Sequence, residues 1–439
     1  MKKRRILILG AAGRDFHNFN TVYKNNGSFE VVAFTASQIP GIAGRKYPAS
    51  LSGKLYPSGI PIEDENNLEN IIKEKDIDEC VLSYSDLSYT YVMRLASRVL
   101  SSGATFSMLG AAQTMLESRK PVVAVTAVRT GCGKSQTTRR IVEILREAGK
   151  KVAVVRHPMP YSDLASQAVQ RFSEIKDLEK HHCTIEEMEE YEPHLARGSV
   201  VFAGVDYGAV LEAAEKEADI IVWDGGNNDT PFFRPDFSVV VADPFRAGHE
   251  IGYYPGEINF RMSNVILINK VDPSNEEGTA RIEENAKKYN PSARVIKSES
   301  IVTVDNPEII RGKAVLVIED GPTVTHGDMK FGAGMVVAKK YQASRIVDPR
   351  PYALGGIREA FAKYPHLECV LPALGYGEKQ IKELEETLNK AESDAVIVAT
   401  PIDLGRFIKI KQPSTRVRYE LPERIKDELR AALKERKII

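Results

Sequence analysis

The chain alternates between two hydrophobic patterns. Short, continuous apolar runs occupy residues 5–10, 29–34, 79–83, 121–128, 151–156, 199–204, 219–224, 237–243, 264–270, 294–300, 314–320, 345–348 and 394–400. Between them lie longer stretches in which apolar residues recur every three or four positions. Runs without an exposed alternate position predict strands covered on both faces, and the intervening period predicts crossover helices. The fold class is therefore α/β, a doubly wound, mostly parallel sheet. A new strand begins after a complete βα series at "ESRKP", residues 117–121. Residues 1–118 are expected to form a Rossmann-like domain. Residues 119–439 are expected to form a P-loop nucleotide-binding domain with a C-terminal α/β extension from about 336. The charged stretch 173–195 reads as a helical insertion between strands.

Composition changes this picture little. At 439 residues and 43% hydrophobic, the chain can bury several cores. Sixty basic residues balance sixty acidic ones, which gives no electrostatic footprint for nucleic acid. No apolar run reaches membrane-spanning length, so no membrane partner is expected. "MKKRRILILGAAGRD" reads as a first strand, because Arg14 and Asp15 cut its apolar run short. The four cysteines form no Cys-x-x-Cys pair, which fits a reducing, cytoplasmic compartment. "HHC" at 181–183 lies in a charged helical stretch and reads as a solvated face.

Chemistry concentrates in "PVVAVTAVRTGCGKSQTTRR". A strand, a glycine-containing turn and a helix follow one another, the context a phosphate-binding loop requires. Thr130, Gly131, Cys132, Gly133, Lys134, Ser135 and Gln136 are the candidate nucleotide-binding residues. Lys134 reaches the β- and γ-phosphates, Ser135 offers a hydroxyl to Mg²⁺, and the helix N-terminus adds partial positive charge. Val128 replaces the usual first glycine. The loop is similar to the signature-lysine branch of P-loop proteins, with Arg129 where that branch keeps a second lysine. Asp224 ends the run "DIIVWD" as a Walker B carboxylate should, making Ser135 and Asp224 the metal candidates and Lys134, Arg129 and Asp224 the catalytic ones. "NKVD" supplies Asn269, Lys270 and Asp272 at the base-reading position of GTPases. Mg²⁺ with ATP is expected, and GTP is left open.

Cations recur just after strand ends: Arg14 and His17, Arg156 and His157, Arg234, Arg246 and His249, His326 and Lys330. Carboxyl ends of parallel strands line the ligand crevice. Their convergence there predicts a small, highly anionic substrate.

Taken together, "GAAGRDFHNFN", "VRTGCGKSQTTR", "VVRHPMPY", "VWDGGNND", "ADPFRAGHE" and "HGDMKFGAG" resemble the cyclic 2,3-diphosphoglycerate synthetase family over nearly the whole chain. The resemblance implies ATP-dependent joining of the two phosphates of 2,3-diphosphoglycerate, releasing ADP and phosphate, in a homodimer. Arg129, Arg156, His157, Arg246 and Lys330 would then neutralise the phosphates as they meet. The alternative is a GTPase that reads guanine through Asn269, Lys270 and Asp272.

Overall fold

The computed structural model describes all residues except Met1, 38–41, 159–162, Asn227, 326–328 and 375–376, and the side chains of Pro322 and Glu378. It is a mostly parallel α/β structure built on three sheets. Every predicted apolar run contains a strand.

The N-terminal sheet orders its strands 46–47, 60–64, 29–36, 4–9, 79–82 and 105–108. The first strand, Arg4–Leu9, is central and pairs parallel to strands on both sides. The loop that follows it, carrying Gly10 to Gly13, thus sits where the strand order reverses.

The central sheet runs 170–172, 200–203, 152–156, 220–223, 122–127, 237–242, 265–268 and 294–297. All pairs are parallel except the first, where the short strand Gln170–Phe172 runs antiparallel. The strand Val122–Ala127 is buried at every position, as its apolar run requires. It lies between Ile220–Trp223 and Phe237–Ala242, so the loop at its end opens into the central crevice. The expected insertion is present: helices Lys176–Lys180 and Ile185–Leu195 separate the strands 170–172 and 200–203. Thr184 and Glu187 close a capping box at the start of the second helix. Within "HHC" only His182 is exposed, and Cys183 joins the core.

The C-terminal part has its own sheet, 301–304, 414–420, 395–399, 314–320 and 345–346, with Val370–Ala373 also paired to 314–320. This sheet begins at Ile301, upstream of the extension expected from about 336. The final helix Glu423–Glu435 returns to the P-loop helix Lys134–Glu147. Leu429 and Leu433 share a core with Ile141 and Leu145, and Lys426 meets Glu143 and Glu147 at 2.7 Å each. A two-stranded ribbon, Leu87–Ser88 against Tyr253–Tyr254, ties the N-terminal part to the central part. Among the described residues no helix is long and apolar enough to cross a membrane.

Candidate functional site

The loop between Val122–Ala127 and Lys134–Glu147 is shaped from outside. Three successive backbone carbonyls accept hydrogen bonds from side chains at neighbouring strand ends. Arg246 donates to Thr130 O at 2.9 Å, Lys270 Nζ to Gly131 O at 2.6 Å, and Asn269 Nδ2 to Cys132 O at 2.9 Å. Turning consecutive carbonyls outward is how a backbone nest presents its N–H groups to an anion. Gly133 caps the helix at φ +108°, and a Cβ there would collide with the Asn269 amide. Asn269 and Lys270 therefore brace the phosphate loop; Lys270 also meets Asp243 at 2.9 Å. Of "NKVD", Asp272 lines the adjoining cavity, and its Oδ1 accepts from Ser274 N and Oγ in the following turn.

Lys134 and Asp224 meet at 2.5 Å. Asp224 is fully buried, with its two oxygens divided between two sets of partners. Oδ1 accepts from Lys134 Nζ and from Thr138 Oγ1 at 2.9 Å. Oδ2 faces Arg156 Nη1 at 2.7 Å and His194 Nε2 at 3.0 Å. Burial alone would raise the Asp224 pKa, but Arg156 and Lys134 outweigh it and hold the carboxyl well below its usual range. Burial, with Arg156 nearby, pushes the Lys134 ammonium down to about 8 despite Asp224. Arg156 also pairs with Glu190 of the insertion helix.

The other predicted cations do not converge on the loop cavity as free groups. The Nε of Arg129, 1% exposed, donates to Asp86 at 2.5 Å; the guanidinium also contacts His249 Nδ1 at 3.0 Å and lies over the Tyr253 ring. Asp86 also accepts from Thr130 Oγ1 at 2.8 Å, so the N-terminal part grips the front of the phosphate loop. Arg246 pairs with Asp243 and contacts Cys132 Sγ, behind the loop. Cys132 is thus a buried loop residue whose thiol burial pushes up in pKa. Arg14, His17 and His157 form a second buried cluster between the N-terminal and central parts. Arg14 bonds to Thr230 and lies over Phe232, His17 stacks on Phe232 at 4.1 Å, and His157 contacts Tyr207 and Asp229. Burial lowers the pKa of both histidines, which keeps them neutral. Arg234 is a surface partner of Glu117, Lys330 is exposed, and His326 lies outside the described residues. Arg129, Arg156 and Arg14 face carboxylates from distant segments, which sequence spacing does not reveal, whereas Arg246 meets Asp243 three residues before it.

The cavity at the loop, about 370 Å³, has a second wall that the strand-end cations did not anticipate. Glu186, Glu189, Glu190, Pro193 and His194 line it from the insertion helix. Their spacing of three and four places them on one helical face. Glu319 and Asp320, at the end of the strand Ala314–Asp320 of the C-terminal sheet, also line it, with Phe331 and Tyr419. Glu319 is 1% exposed and accepts from the backbone N–H groups of Gly332 and Met335 at 3.0 Å each. Burial raises its pKa to about 7 despite these bonds. Burial and the neighbouring Asp320 and Glu186 charges raise Glu189 well above its ordinary value, and burial raises Asp320. The cavity thus brings a cationic anion-binding loop and a set of crowded carboxylates together.

Among the described residues no group of three or more His, Cys, Asp or Glu can hold a metal alone. The Ser135 hydroxyl and Asp224 Oδ1 suit a hard divalent cation bound jointly with nucleotide phosphates, provided Lys134 moves from Asp224 to the phosphates.

A glycine-shaped loop joining a buried parallel strand to a helix, with a strand-end aspartate against its lysine, defines a P-loop nucleotide-binding protein. No family model matches the chain. It is 60% identical over 434 residues to arginine synthetase ArcE of Thermococcus kodakarensis, covering 99% of this chain and 97% of that one. The chain belongs to the family of that synthetase. LpxK of Aquifex aeolicus, solved in complex with ATP, aligns with 84% of this chain and 99% of its own at 11% identity and a TM-score of 0.44. A nucleotide-binding protein of Archaeoglobus fulgidus in complex with ADP aligns with 40% of this chain and 80% of its own at 16% identity and a TM-score of 0.25.

Proposed function

We propose that the protein is an ATP-dependent synthetase that completes a guanidinium group, making arginine from its ureido precursor citrulline and ammonia. The observation that carries this reading is the wall of carboxylates in the cavity of the phosphate loop. The phosphate loop with Lys134 and the carboxylates Glu186, Glu189, Glu319 and Asp320 line the same cavity. Carboxylates whose protons are held tightly by burial and mutual repulsion are stabilised by a cationic ligand. The relative's designation as an arginine synthetase agrees with such a ligand.

The chemistry follows from exchanging an oxygen for a nitrogen. The ureido oxygen attacks the γ-phosphorus and the bond to ADP breaks. Ammonia then attacks the ureido carbon, and the former ureido oxygen leaves as phosphate. The extra protons remain on the guanidinium and the released phosphate. Lys134 neutralises charge on the transferring group, and the loop N–H groups hold the phosphates in line. Mg²⁺ bound with the nucleotide, held by Ser135 and Asp224, would neutralise β- and γ-phosphate charge. The carboxylate wall orients the ureido end and receives the positive charge that develops there.

The cyclic diphosphoglycerate reading has less support. Its substrate carries two phosphates and a carboxylate, whereas Arg129, Arg156 and Arg246 are paired with Asp86, Asp224 and Asp243, Lys330 is exposed and His157 is buried against Asp229. A guanine-reading role would rest on Asp272 alone, since Asn269 and Lys270 brace the loop.

The test incubates purified protein with ATP or GTP in the presence of citrulline plus ammonium, of 2,3-diphosphoglycerate, or of neither. Arginine is followed by amino-acid analysis and phosphorus species by ³¹P NMR. Arginine, ADP and phosphate in equal amounts, dependent on all three substrates and lost in Lys134→Ala, support the proposal. A cyclic anhydride, or GTP hydrolysis without an acceptor, overturns it.

A further inference from the structure

Asp224 is held from two directions, and the division falls between its two oxygens. Oδ1 faces the phosphate loop, through Lys134 at 2.5 Å and Thr138 at 2.9 Å. Oδ2 is held from outside the loop and its helix, by Arg156 at 2.7 Å and His194 at 3.0 Å. Thr138 is one turn beyond Lys134 on the P-loop helix, so Oδ1 is the atom a nucleotide would reach when Lys134 swings to the phosphates. His194 comes from an insertion helix outside the phosphate-binding unit, and Arg156 is tied to that same helix through Glu190.

We infer that His194 is a positioning residue: from the insertion helix it fixes Asp224 Oδ2, and so keeps Oδ1 aimed at the divalent cation that accompanies the nucleotide. The inference rests on the reading of Asp224 as the carboxylate of the nucleotide site, not on the identity of the acceptor substrate. Three features support it. His194 is 3% exposed, so its imidazole is fixed by packing and not by solvent. Its Nε2 faces a carboxylate oxygen, so Nε2 carries the proton and donates it. Once Lys134 leaves for the phosphates, Arg156 and His194 on Oδ2 and Thr138 on Oδ1 are the remaining partners that hold the carboxylate's orientation. Groups of this kind, which touch a ligand-bearing side chain and not the ion, typically change metal affinity 10–100-fold when removed.

The experiment measures ADP affinity of the full-length protein by titration calorimetry, in excess Mg²⁺ and in EDTA. Wild type should bind ADP more tightly with Mg²⁺. His194→Ala should lose about tenfold or more of that Mg²⁺ advantage, with a smaller change in EDTA. His194→Gln, whose side-chain amide can donate to Oδ2, should restore part of it. If His194→Ala does not fold, Glu190→Gln, which loosens Arg156 from the same helix, should reduce the Mg²⁺ advantage in the same direction. An unchanged advantage in His194→Ala, an equal loss with and without Mg²⁺, or no rescue by Gln overturns the inference. Because no acceptor is present, a failure here is separate from a failure to make arginine.

Discussion

The ion pair between Arg129 and Asp86 offers the sharpest test of how the N-terminal part supports the phosphate loop. Its side chains are 2% and 6% exposed and meet at 2.5 Å. Removing one member of a buried pair leaves the other charge desolvated without its counter-charge, at about 3–5 kcal/mol. Asp86 sits at φ +63°, a conformation that asparagine tolerates and alanine does not. Asp86→Asn therefore isolates the charge and should cost about 3 kcal/mol, on the order of a hundredfold in the folded-to-unfolded ratio. Asp86→Ala adds about 1 kcal/mol of backbone strain. Converting Arg129 to Met as well removes the cation that Asp86 balanced, so the double variant Asp86→Asn, Arg129→Met should lose less than the sum of the single changes. The assay is guanidinium denaturation followed by the fluorescence of Trp223, the single tryptophan, which is fully buried in the central sheet. It reports the unfolding of the part that carries the loop. A loss below about 1 kcal/mol for Asp86→Asn, or additive losses in the double variant, would refute the reasoning.

Three further outcomes are expected. Glu319 titrates near 7 when folded and near 4.5 when unfolded, so the folded state binds its proton more tightly. Its contribution is full below about 4.5 and is lost as pH rises toward 7, at most about 3 kcal/mol; Glu319→Gln should flatten the fall in denaturation midpoint over that window. On the proposed function, Glu189→Gln and Asp320→Asn should each raise the KM for citrulline about tenfold or more while leaving ADP affinity within a factor of about two, and a raised ADP Kd would place those carboxylates at the nucleotide instead. Asp272→Asn should alter the ATP-to-GTP preference only if that carboxylate contacts the base; unchanged relative kcat/KM values would leave it as a turn residue.

The parallel strands were legible because both their faces are covered, which forces continuous apolar runs such as "AVLVIED". Others were not. Ile60–Asp64 reads "IPIED", Val370–Ala373 contains Pro372, and Ser414–Glu420 reads "STRVRYE" with charges between its apolar residues. Pairing partners make these segments strands, and those partners lie far away in sequence. The phosphate loop was legible for the opposite reason, since its chemistry is local. The pairing of the cations was not legible, because a strand-end arginine announces its charge but not its counter-ion. Asp86, Asp224 and Asp229 reach Arg129, Arg156 and Arg14 only through the folded topology. The carboxylate wall did have a signal. Glu319 and Asp320 end an apolar strand as Asp224 does, and Glu186, Glu189, Glu190 and His194 recur at helical spacing.

The departures of the loop from a glycine-rich pattern acquire a physical account in the fold. Val128 continues the strand, its N–H bonded to Val241 O at 3.0 Å and its carbonyl taken by Asn228 Nδ2 at 2.9 Å, so strand pairing does what an early glycine would leave free. Thr130 is fixed by Asp86 through its hydroxyl and by Arg246 through its carbonyl. Gly131 and Gly133, both at positive φ, remain where the backbone must turn. A loop fixed at its front by the N-terminal part and at its carbonyls by strand-end side chains is preorganised before nucleotide arrives, so little ordering is left for binding to pay for. The conformational work of binding then falls mainly on the Lys134–Asp224 contact, which must open for the ammonium to meet the phosphates. That contact lies between the anion-binding loop and the insertion helix that carries part of the carboxylate wall. Opening it therefore changes the charge that Arg156 and His194 balance on Asp224, and both are tied to that helix.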